Sequence, residues 1–348
     1  MENTENPLGA FTKAVDILLY SARELTEDEA GGHGNRWGVF DDDVSALVGR
    51  WLGMAVEKSE VPTLGMSNKA ALEKVVAHGE PAAVALLYTG QEPGATKAGL
   101  MSLIHQDAGE AGQMPSNQLW SAFPFLGDGI AVEAAVEQVC LFPNRIEARL
   151  ELSLAAGGLI EAFDPCFWQN RAVYRSDERY RFLVSALAYR MEPAPALEHV
   201  IDDEHEIRRF RARDAWVKTH GHWTREDEEA SLSAWQPESP DDLDPIRISM
   251  GEMAALLPSS AGPADDAQFQ GEVVRVTPRS VRMLDVDFWR VDTVVMRADE
   301  DLILPIYVAD RLFQGDWHPQ VGQYVAGTLW LQAYATTRLD GTKKQSEA

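Results

Sequence analysis

The sequence predicts an α+β protein, with a mainly helical amino-terminal region and two related small β-barrels joined by an acidic helical spacer. Two observations predict this fold class. Apolar residues near the amino terminus recur every three to four positions, and the period changes to two from Val136 onward. Two later segments also resemble each other in the order of their elements. We therefore expect domains at residues 1–130, 131–192, 193–268 and 269–337, and a loose tail at 338–348.

The amino-terminal region is expected to contain three helices, each with apolar side chains along one face. The three faces are formed by Phe11, Val15, Leu18, Leu19, Ala22 and Leu25, by Val44, Leu47, Val48, Trp51, Leu52 and Ala55, and by Leu72, Val75 and Val76. The apolar run Ala82–Tyr88 fits either a buried strand or a helix. The glycine and proline residues that flank this run favour a strand.

The two similar segments lie near Val136–Met191 and Gly271–Thr337. In the first, apolar and polar residues alternate over Ile146–Leu154, as they do in a half-buried strand. A short apolar run, an aromatic connection and a long strand follow, and the second segment repeats this order at an offset of 144 residues. This order is typical of a small Greek-key barrel, for which an OB-like topology is the first choice and an SH3-like topology the second.

The spacer and the amino-terminal region carry most of the acidic charge. Of the formal net charge of −24, residues 1–130 and 193–268 hold −10 each, and residues 131–192 and 269–348 hold −2 each. In the spacer, Leu197–His220 predicts a solvent-facing helix and Thr224–Asp227 a helix start. Ser249–Glu252 has the spacing of a capping box and predicts a short helix to about Leu257.

Composition also indicates where the protein works. No cationic segment followed by an apolar core opens the sequence, and apolar stretches such as Pro81–Gln91 are far shorter than the ~20 residues of a membrane span. Two cysteines, Cys140 and Cys166, are too few for a disulfide scaffold. We expect a protein of a reducing, bacterial cytoplasm that does not enter a membrane.

Each motif that could carry catalysis has a simpler interpretation. Gly90–Lys97 resembles a phosphate-binding loop but lacks the adjacent Gly-Lys-Ser/Thr that holds phosphate and magnesium, so it predicts an ordinary turn. The apolar neighbours of both cysteines favour neutral, inert thiols. We therefore predict no catalytic residue and no cofactor. An enzyme whose site assembles from scattered residues, such as His105, Asp164 and His220, stays open as an alternative.

The histidines of the spacer helix are the remaining candidates for metal binding. His199 and His205 alternate with acidic residues at spacings that share one helix face. Such pairs are common by chance in an acidic helix, and no paired-cysteine motif or His-Glu-x-x-His accompanies them. We interpret these residues as a solvated helix face and predict no metal.

The connection in the first barrel offers a candidate ligand site, because arginines interleave there with aromatic residues. In OB-like barrels, arginines pair with phosphates while aromatic rings stack on bases. Single-stranded nucleic-acid binding through this barrel is therefore an alternative function. The candidate residues are Trp168, Arg171, Tyr174, Arg175, Arg179, Tyr180 and Arg181.

The preferred hypothesis is a non-catalytic binding or scaffold protein that acts through protein–protein contacts. Two exposed acidic clusters would attract a basic protein partner at low salt. The residues of these clusters are Asp41, Asp42, Asp43, Glu226, Asp227, Glu228 and Glu229.

Overall fold

The computed structural model describes residues 21–31, 34–43, 49, 66, 83–88, 98–106, 117–176, 178–195, 198–259, 265–297 and 300–339. Its strands are β1 (Ala22–Glu24), β2 (Ala83–Tyr88), β3 (Ala98–Gln106), β4 (Asn117–Leu126), β5 (Ile130–Leu141), β6 (Ala148–Leu154), β7 (Leu159–Phe163), β8 (Arg179–Pro193), β9 (Glu198–Ile201), β10 (Ile246–Ser249), β11 (Ala255–Pro258), β12 (Asp266–Met283), β13 (Val286–Met296), β14 (Leu302–Ala309) and β15 (Tyr324–Arg338). Its helices are α1 (Glu27–Ala30), α2 (Gly34–Trp37), α3 (Phe167–Asn170), α4 (Glu204–His220) and α5 (Glu228–Ala234). Short 3-10 turns occupy Arg225–Asp227, Pro240–Leu243, Met250–Glu252 and Asp310–Leu312.

The described residues divide into a larger unit, which is mostly β, and a smaller unit formed by Ala194–Met253. In the larger unit, ten strands form one mixed sheet in the order β1-β5-β6-β7-β15-β8-β14-β13-β12-β11. This sheet also folds back on itself, because β5 pairs with β8 and β12 pairs with β15. A separate three-stranded antiparallel sheet has the order β2-β3-β4.

The long strands β8 and β15 form the centre of the large sheet. They pair with each other in antiparallel register from Tyr180 opposite Arg338 to Pro193 opposite Val325. β15 also runs parallel to β7, which belongs to the first half of the chain, and β8 runs parallel to β14, which belongs to the second half. Each half of the chain therefore pairs one of its strands with the last strand of the other half. β7 of the first half pairs with β15, and β14 of the second half pairs with β8.

The prediction of two small barrels, OB-like or SH3-like, is wrong. The two similar segments share one ten-stranded sheet, and a single core cluster contains Leu150 and Phe182 from the first half with Leu304 and Val325 from the second. The physical reason lies in the length of the last strands. β8 spans 15 residues, of which Arg179–Val184 pair with β5, while nearly its whole length pairs with β15.

The prediction of a mainly helical amino-terminal region is also wrong for the described residues. Between residues 83 and 126 they form β2, β3 and β4, and Ala22–Glu24 form a strand parallel to β5. The strand preference for Ala82–Tyr88 is confirmed by β2. Most of the three predicted helices, the region of Gly90–Lys97 and the tail beyond residue 339 lie outside the described residues.

The central strands bury both of their faces. In β15, Leu329 and Leu331 belong to one core cluster, while Trp330 between them belongs to a second cluster that includes Leu100 of β3 and Phe123 of β4. Because neighbouring side chains in a strand point to opposite faces, both faces must be apolar. This double burial explains why the sequence of β15 is nearly continuous in apolar and small residues.

A buried glutamine fastens the end of β4 to this centre. Gln332 of β15 is fully buried, and its side chain donates to the carbonyl of Pro124 at 2.7 Å and accepts from the amide of Leu126 at 3.1 Å. The hydroxyl of Ser185 in β8 donates to the carbonyl of Leu126 at 3.3 Å. Buried backbone groups outside the sheet ladders thus find partners on the central strands.

The smaller unit contains α4, α5 and the antiparallel pair β9–β10. The helix predicted from Leu197 begins later, because Glu198–Ile201 form β9 and Asp203 caps α4 by accepting from the amide of Glu206 at 3.0 Å. Gly221 ends α4 in a left-handed conformation, with φ 80°. None of the helices in the described ranges combines the length and apolar character that crossing a bilayer requires.

Two further predictions for this region have opposite outcomes. The helix start at Thr224 is confirmed, because both the amide and the hydroxyl of Thr224 donate to Asp227 at 2.8 Å. The helix predicted from Ser249 to Leu257 is wrong beyond a 3-10 turn, since Ala255–Pro258 form β11 and pair with β12. Pairing with the next strand, β12, overrides the local capping signal here.

We predict that Gly327→Ala destabilises the protein by about 2 kcal/mol or more, as overpacking of a tight core does. A methyl group on Gly327 would lie 1.9 Å from the carbonyl oxygen of Arg190 in β8, so the central strands would have to separate. Urea unfolding followed by circular dichroism measures the change. Gly49→Ala is the control, because its methyl group meets no atom within 4 Å. An unchanged midpoint for Gly327→Ala would contradict the central pairing.

Candidate binding site

The aromatic residues of the predicted nucleic-acid site are buried. Tyr174 and Tyr180 are fully buried and pack edge to face at 5.5 Å, and Trp168 is 7% exposed. The ring of Tyr174 also stacks near Phe182, at 6.3 Å between centroids. The structure therefore places these three rings in the core, where they cannot stack on a base in this conformation.

The arginines of the same segment do not share one surface. Arg171 is buried, and Arg175 donates to the carbonyl oxygens of Ala172 and Tyr174. Arg179 and Arg181 are exposed on β8, where Arg181 lies 3.8 Å from Glu133.

Strand geometry explains the arginine–aromatic alternation at the start of β8. Exposed Arg179 and Arg181 alternate with buried Tyr180 and Phe182. Side chains of a strand alternate between two faces, so this pattern marks one exposed and one buried face. The alternation is visible in the sequence. It fits both a nucleic-acid-binding face and a strand with one buried face, and the burial of the rings decides between them.

A buried carboxyl group organises the connection before β8. The hydroxyl of Tyr174 donates to Oδ2 of Asp164 at 2.5 Å, and the amide of Cys166 donates to Oδ1 at 2.8 Å. Burial raises the pKa of Asp164 to about 7, although these two hydrogen bonds act in the opposite direction. Asn170 joins the network by donating to the carbonyl of Ala335 in β15 at 3.2 Å. The network fixes α3 on the central sheet.

The cysteines and histidines are placed as follows. Cys140 and Cys166 are buried, and burial raises the pKa of both thiols, so the predicted neutral thiols are confirmed. In the smaller unit, His220 stacks on Trp216 at 4.0 Å. The side chains of His105 and His199 lie outside the described residues. Within the part of the chain that is described, no group of three or more acidic, histidine or cysteine side chains could hold a metal.

The second acidic cluster, Glu226–Glu229, is partly engaged in local structure. Asp227 accepts the hydrogen bonds of Thr224, and Glu228 lies 2.6 Å from Arg209 of α4. The side chains of Glu226 and Glu229 are exposed. Half of this cluster therefore stabilises the turn that begins at Thr224 and the contact between α5 and the first half of α4.

The first acidic cluster, Asp41–Asp43, is exposed along its whole length. It follows Phe40, a buried ring that packs 5.3 Å from Phe288 of β13. Asp42 is 95% exposed and forms an ion pair with Arg311, which also donates to the carbonyl of Gly38 at 2.6 Å. Phe40 and Arg311 thus hold three aspartates beside the 3-10 turn at Asp310–Leu312.

Four aromatic rings meet on the other side of this turn. Trp289 stacks with His318, with ring centroids 4.6 Å apart and planes 23° apart. Phe313 packs edge to face against Trp289 at 5.4 Å and against Trp317 at 5.9 Å. Phe313 is buried, whereas Trp289, Trp317 and His318 are partly exposed. Trp289 follows the buried Phe288, so strand alternation places its ring on the opposite face, where it packs against the edge of the other core cluster and stays partly exposed.

Asp310 connects the rings to the acidic cluster. The indole nitrogen of Trp289 donates to Oδ1 of Asp310 at 2.9 Å, and Nε2 of His318 lies 3.8 Å from the same oxygen. The next residue along the chain is Arg311, the partner of Asp42. We call Asp41–Asp43, Trp289, Asp310, Trp317 and His318 the acidic–aromatic surface.

Sequence reasoning found only part of this surface. It assigned Asp41–Asp43 to a binding surface and gave Trp317 and His318 no role. It missed Trp289 and Asp310. Two features of the sequence could have indicated these residues. Trp289 follows Phe288 in a strand and so lies on the opposite face, and Asp310 comes directly after the apolar strand β14.

Comparisons of this chain with models of protein families, with curated proteins and with solved structures find no match. Function is therefore inferred from the residues of the chain itself. Among the described side chains, the acidic–aromatic surface combines exposed charge with exposed rings, which are the features that partner binding uses.

We predict that Asp164→Asn removes a pH-dependent part of the free energy of unfolding. Between the ordinary aspartate pKa of about 3.9 and the folded value of about 7, the folded protein holds a proton that the unfolded chain releases. Asp164 therefore makes the wild type less stable as pH rises through this window, by about 1.4 kcal/mol per pH unit. Urea unfolding at several pH values measures the effect.

The difference between wild type and variant isolates Asp164. Asp266, whose pKa is raised to about 6 by burial and by the charge of Asp265, titrates in both proteins. The stability of Asp164→Asn relative to wild type should rise from pH 5 to pH 7. Parallel pH profiles for the two proteins would contradict this assignment.

Proposed function

We propose that this protein is a non-catalytic binding protein that docks a basic protein segment on its acidic–aromatic surface. One observation carries the proposal. Trp289, partly exposed, holds the exposed carboxylate of Asp310, and three further exposed aspartates lie on the other side of the same turn. Tryptophan contributes large binding energies at protein interfaces, and exposed carboxylates attract basic partners.

The charge of the chain supports the same function. The formal net charge is −24, so a basic partner is attracted from a distance and the association rate depends on salt. At the surface itself, Arg311 pairs with Asp42, and Asp41, Asp43 and Asp310 are exposed to solvent. A surface that attracts a basic partner at long range and contacts it through aromatic rings at short range has the properties of a docking surface.

The alternatives from the sequence receive less support from the described geometry. Both oxygens of Asp164 accept hydrogen bonds inside the core, and the ring of His220 stacks on Trp216, so neither is presented as a catalytic group. The burial of Trp168, Tyr174 and Tyr180 removes the rings that a single strand would need. Exposed Arg179 and Arg181 are what remains of that candidate site.

Fluorescence anisotropy with a short, labelled peptide rich in lysine and arginine tests the proposal. At low salt, we expect the double variant Asp43→Asn and Asp310→Asn to bind the peptide roughly tenfold more weakly than wild type, because two exposed charges are lost. The matched control is Glu226→Gln with Glu229→Gln. It removes the same charge from the other acidic cluster and should change the affinity less than twofold.

Equal losses in the two double variants would show that only net charge attracts the peptide, and would contradict docking at this surface. The same titration with a single-stranded oligonucleotide tests the alternative function. Oligonucleotide binding that depends on Arg179 and Arg181, without peptide binding, would replace the proposal.

A further inference from the structure

Among the described residues of the larger unit, a tryptophan indole nitrogen donates to an aspartate once in the core and once at the surface. In the core, Trp330 donates to Oδ2 of Asp265 at 2.6 Å. The same oxygen accepts from the guanidinium of Arg36 at 2.5 Å, and Cζ of Arg36 lies 4.3 Å from the centroid of a Trp330 ring. The tryptophan and the aspartate therefore hold one arginine between them.

This buried arginine keeps its charge. Burial is the largest single influence and lowers the pKa of Arg36, but the combined charges of nearby groups, with Asp265 first among them, outweigh burial and raise the pKa above its ordinary value. The planar guanidinium contacts the face of the indole and bonds to the carboxylate at the same time. The core of this protein thus contains an arginine site in which an indole face and a carboxylate contact the same guanidinium, with the ring of Phe163 also nearby.

At the surface, Trp289 and Asp310 repeat the two receptor side chains. The indole nitrogen donates to Asp310 at 2.9 Å, and the place beside the ring is taken by His318. The imidazole of His318 stacks on the indole, but its Nε2 is 3.8 Å from Asp310, beyond hydrogen-bond distance. His318 is 38% exposed and Asp310 is 46% exposed, so both are accessible to a partner.

We propose that Trp289 and Asp310 form an arginine-recognition site for the docked protein segment. A partner's guanidinium stacks on Trp289 and bonds to Asp310, as Arg36 does with Trp330 and Asp265, and His318 gives up its place on the indole ring. This assignment rests on the proposed function and specifies its ligand. The exposed aspartates at 41–43 attract the segment, and the Trp289–Asp310 pair selects the residue that enters.

The chemistry favours arginine over lysine at this site. A guanidinium is flat, weakly hydrated and carries several donors in its plane, so it can stack on a ring while bonding to a carboxylate. An ammonium is compact and strongly hydrated, and it loses more water when it contacts an indole. Exposed carboxylates without a ring distinguish the two cations poorly.

Three peptides that differ only at one central position, with arginine, lysine or citrulline, test the assignment against the full-length protein by fluorescence anisotropy. Wild type should bind the arginine peptide roughly fivefold more tightly than the lysine peptide, and the neutral citrulline peptide should bind most weakly. Trp289→Leu should remove the preference for arginine over lysine. Trp235→Leu, which changes a partly exposed tryptophan of the smaller unit, should keep it.

A second measurement does not depend on the stability of Trp289→Leu. In wild type, the indole N–H resonance of Trp289, assigned by its absence in that variant or by specific labelling, should shift when the arginine peptide is added. Asp310→Asn, which alters an exposed side chain and leaves every ring in place, should reduce the shift and the affinity for the arginine peptide, roughly tenfold for the affinity.

The outcomes separate the two proposals. Equal affinity for the arginine and lysine peptides in wild type, or a preference that survives in Trp289→Leu, overturns the arginine site and leaves docking of a basic segment intact. Loss of binding for every charged peptide overturns both. Selectivity for arginine that disappears in Trp289→Leu and persists in Trp235→Leu supports the arginine site.

Discussion

The antiparallel pair β8–β15 is the constraint on which the rest of the structure depends. Both strands are buried on both faces, and each pairs with strands from both halves of the chain. Polar residues of these two strands also bind a neighbouring strand, since Gln332 and Ser185 form hydrogen bonds with the end of β4. The two halves therefore cannot bury their apolar surfaces independently, and one cooperative core follows from shared strands.

The buried arginine site links this core to the acidic–aromatic surface. Arg36 on α2 is fixed by Asp265 and Trp330. Four residues further, Phe40 packs against β13, and the exposed aspartates follow directly. The position of the acidic cluster beside Trp289 is thus a consequence of an arginine held in the core. The surface pair Trp289–Asp310 uses the same chemistry toward solvent, where the two groups are available to a partner.

The sequence predicted individual strands better than their partners. Alternation over Ile146–Leu154 matches β6 (Ala148–Leu154), because the period of two depends only on local geometry. It could not show that β8 pairs with β15, since pairing between strands 144 residues apart depends on total burial rather than on any local pattern. The candidate site shows the same limit. Arg179–Phe182 suggested a binding face until burial showed one side to be core, and Trp289 and Asp310 meet only through the pairing of β13 with β14.

Hydrogen exchange of the intact protein tests the central pairing most directly. Backbone amides of β8 and β15 are predicted to be the most protected, and to open together in one step whose free energy equals that of global unfolding. An opening that exposes β12–β15 while β5–β8 stay protected, or the reverse, would show that each half folds on its own strands. That result would contradict a sheet in which the last strand of each half completes the other.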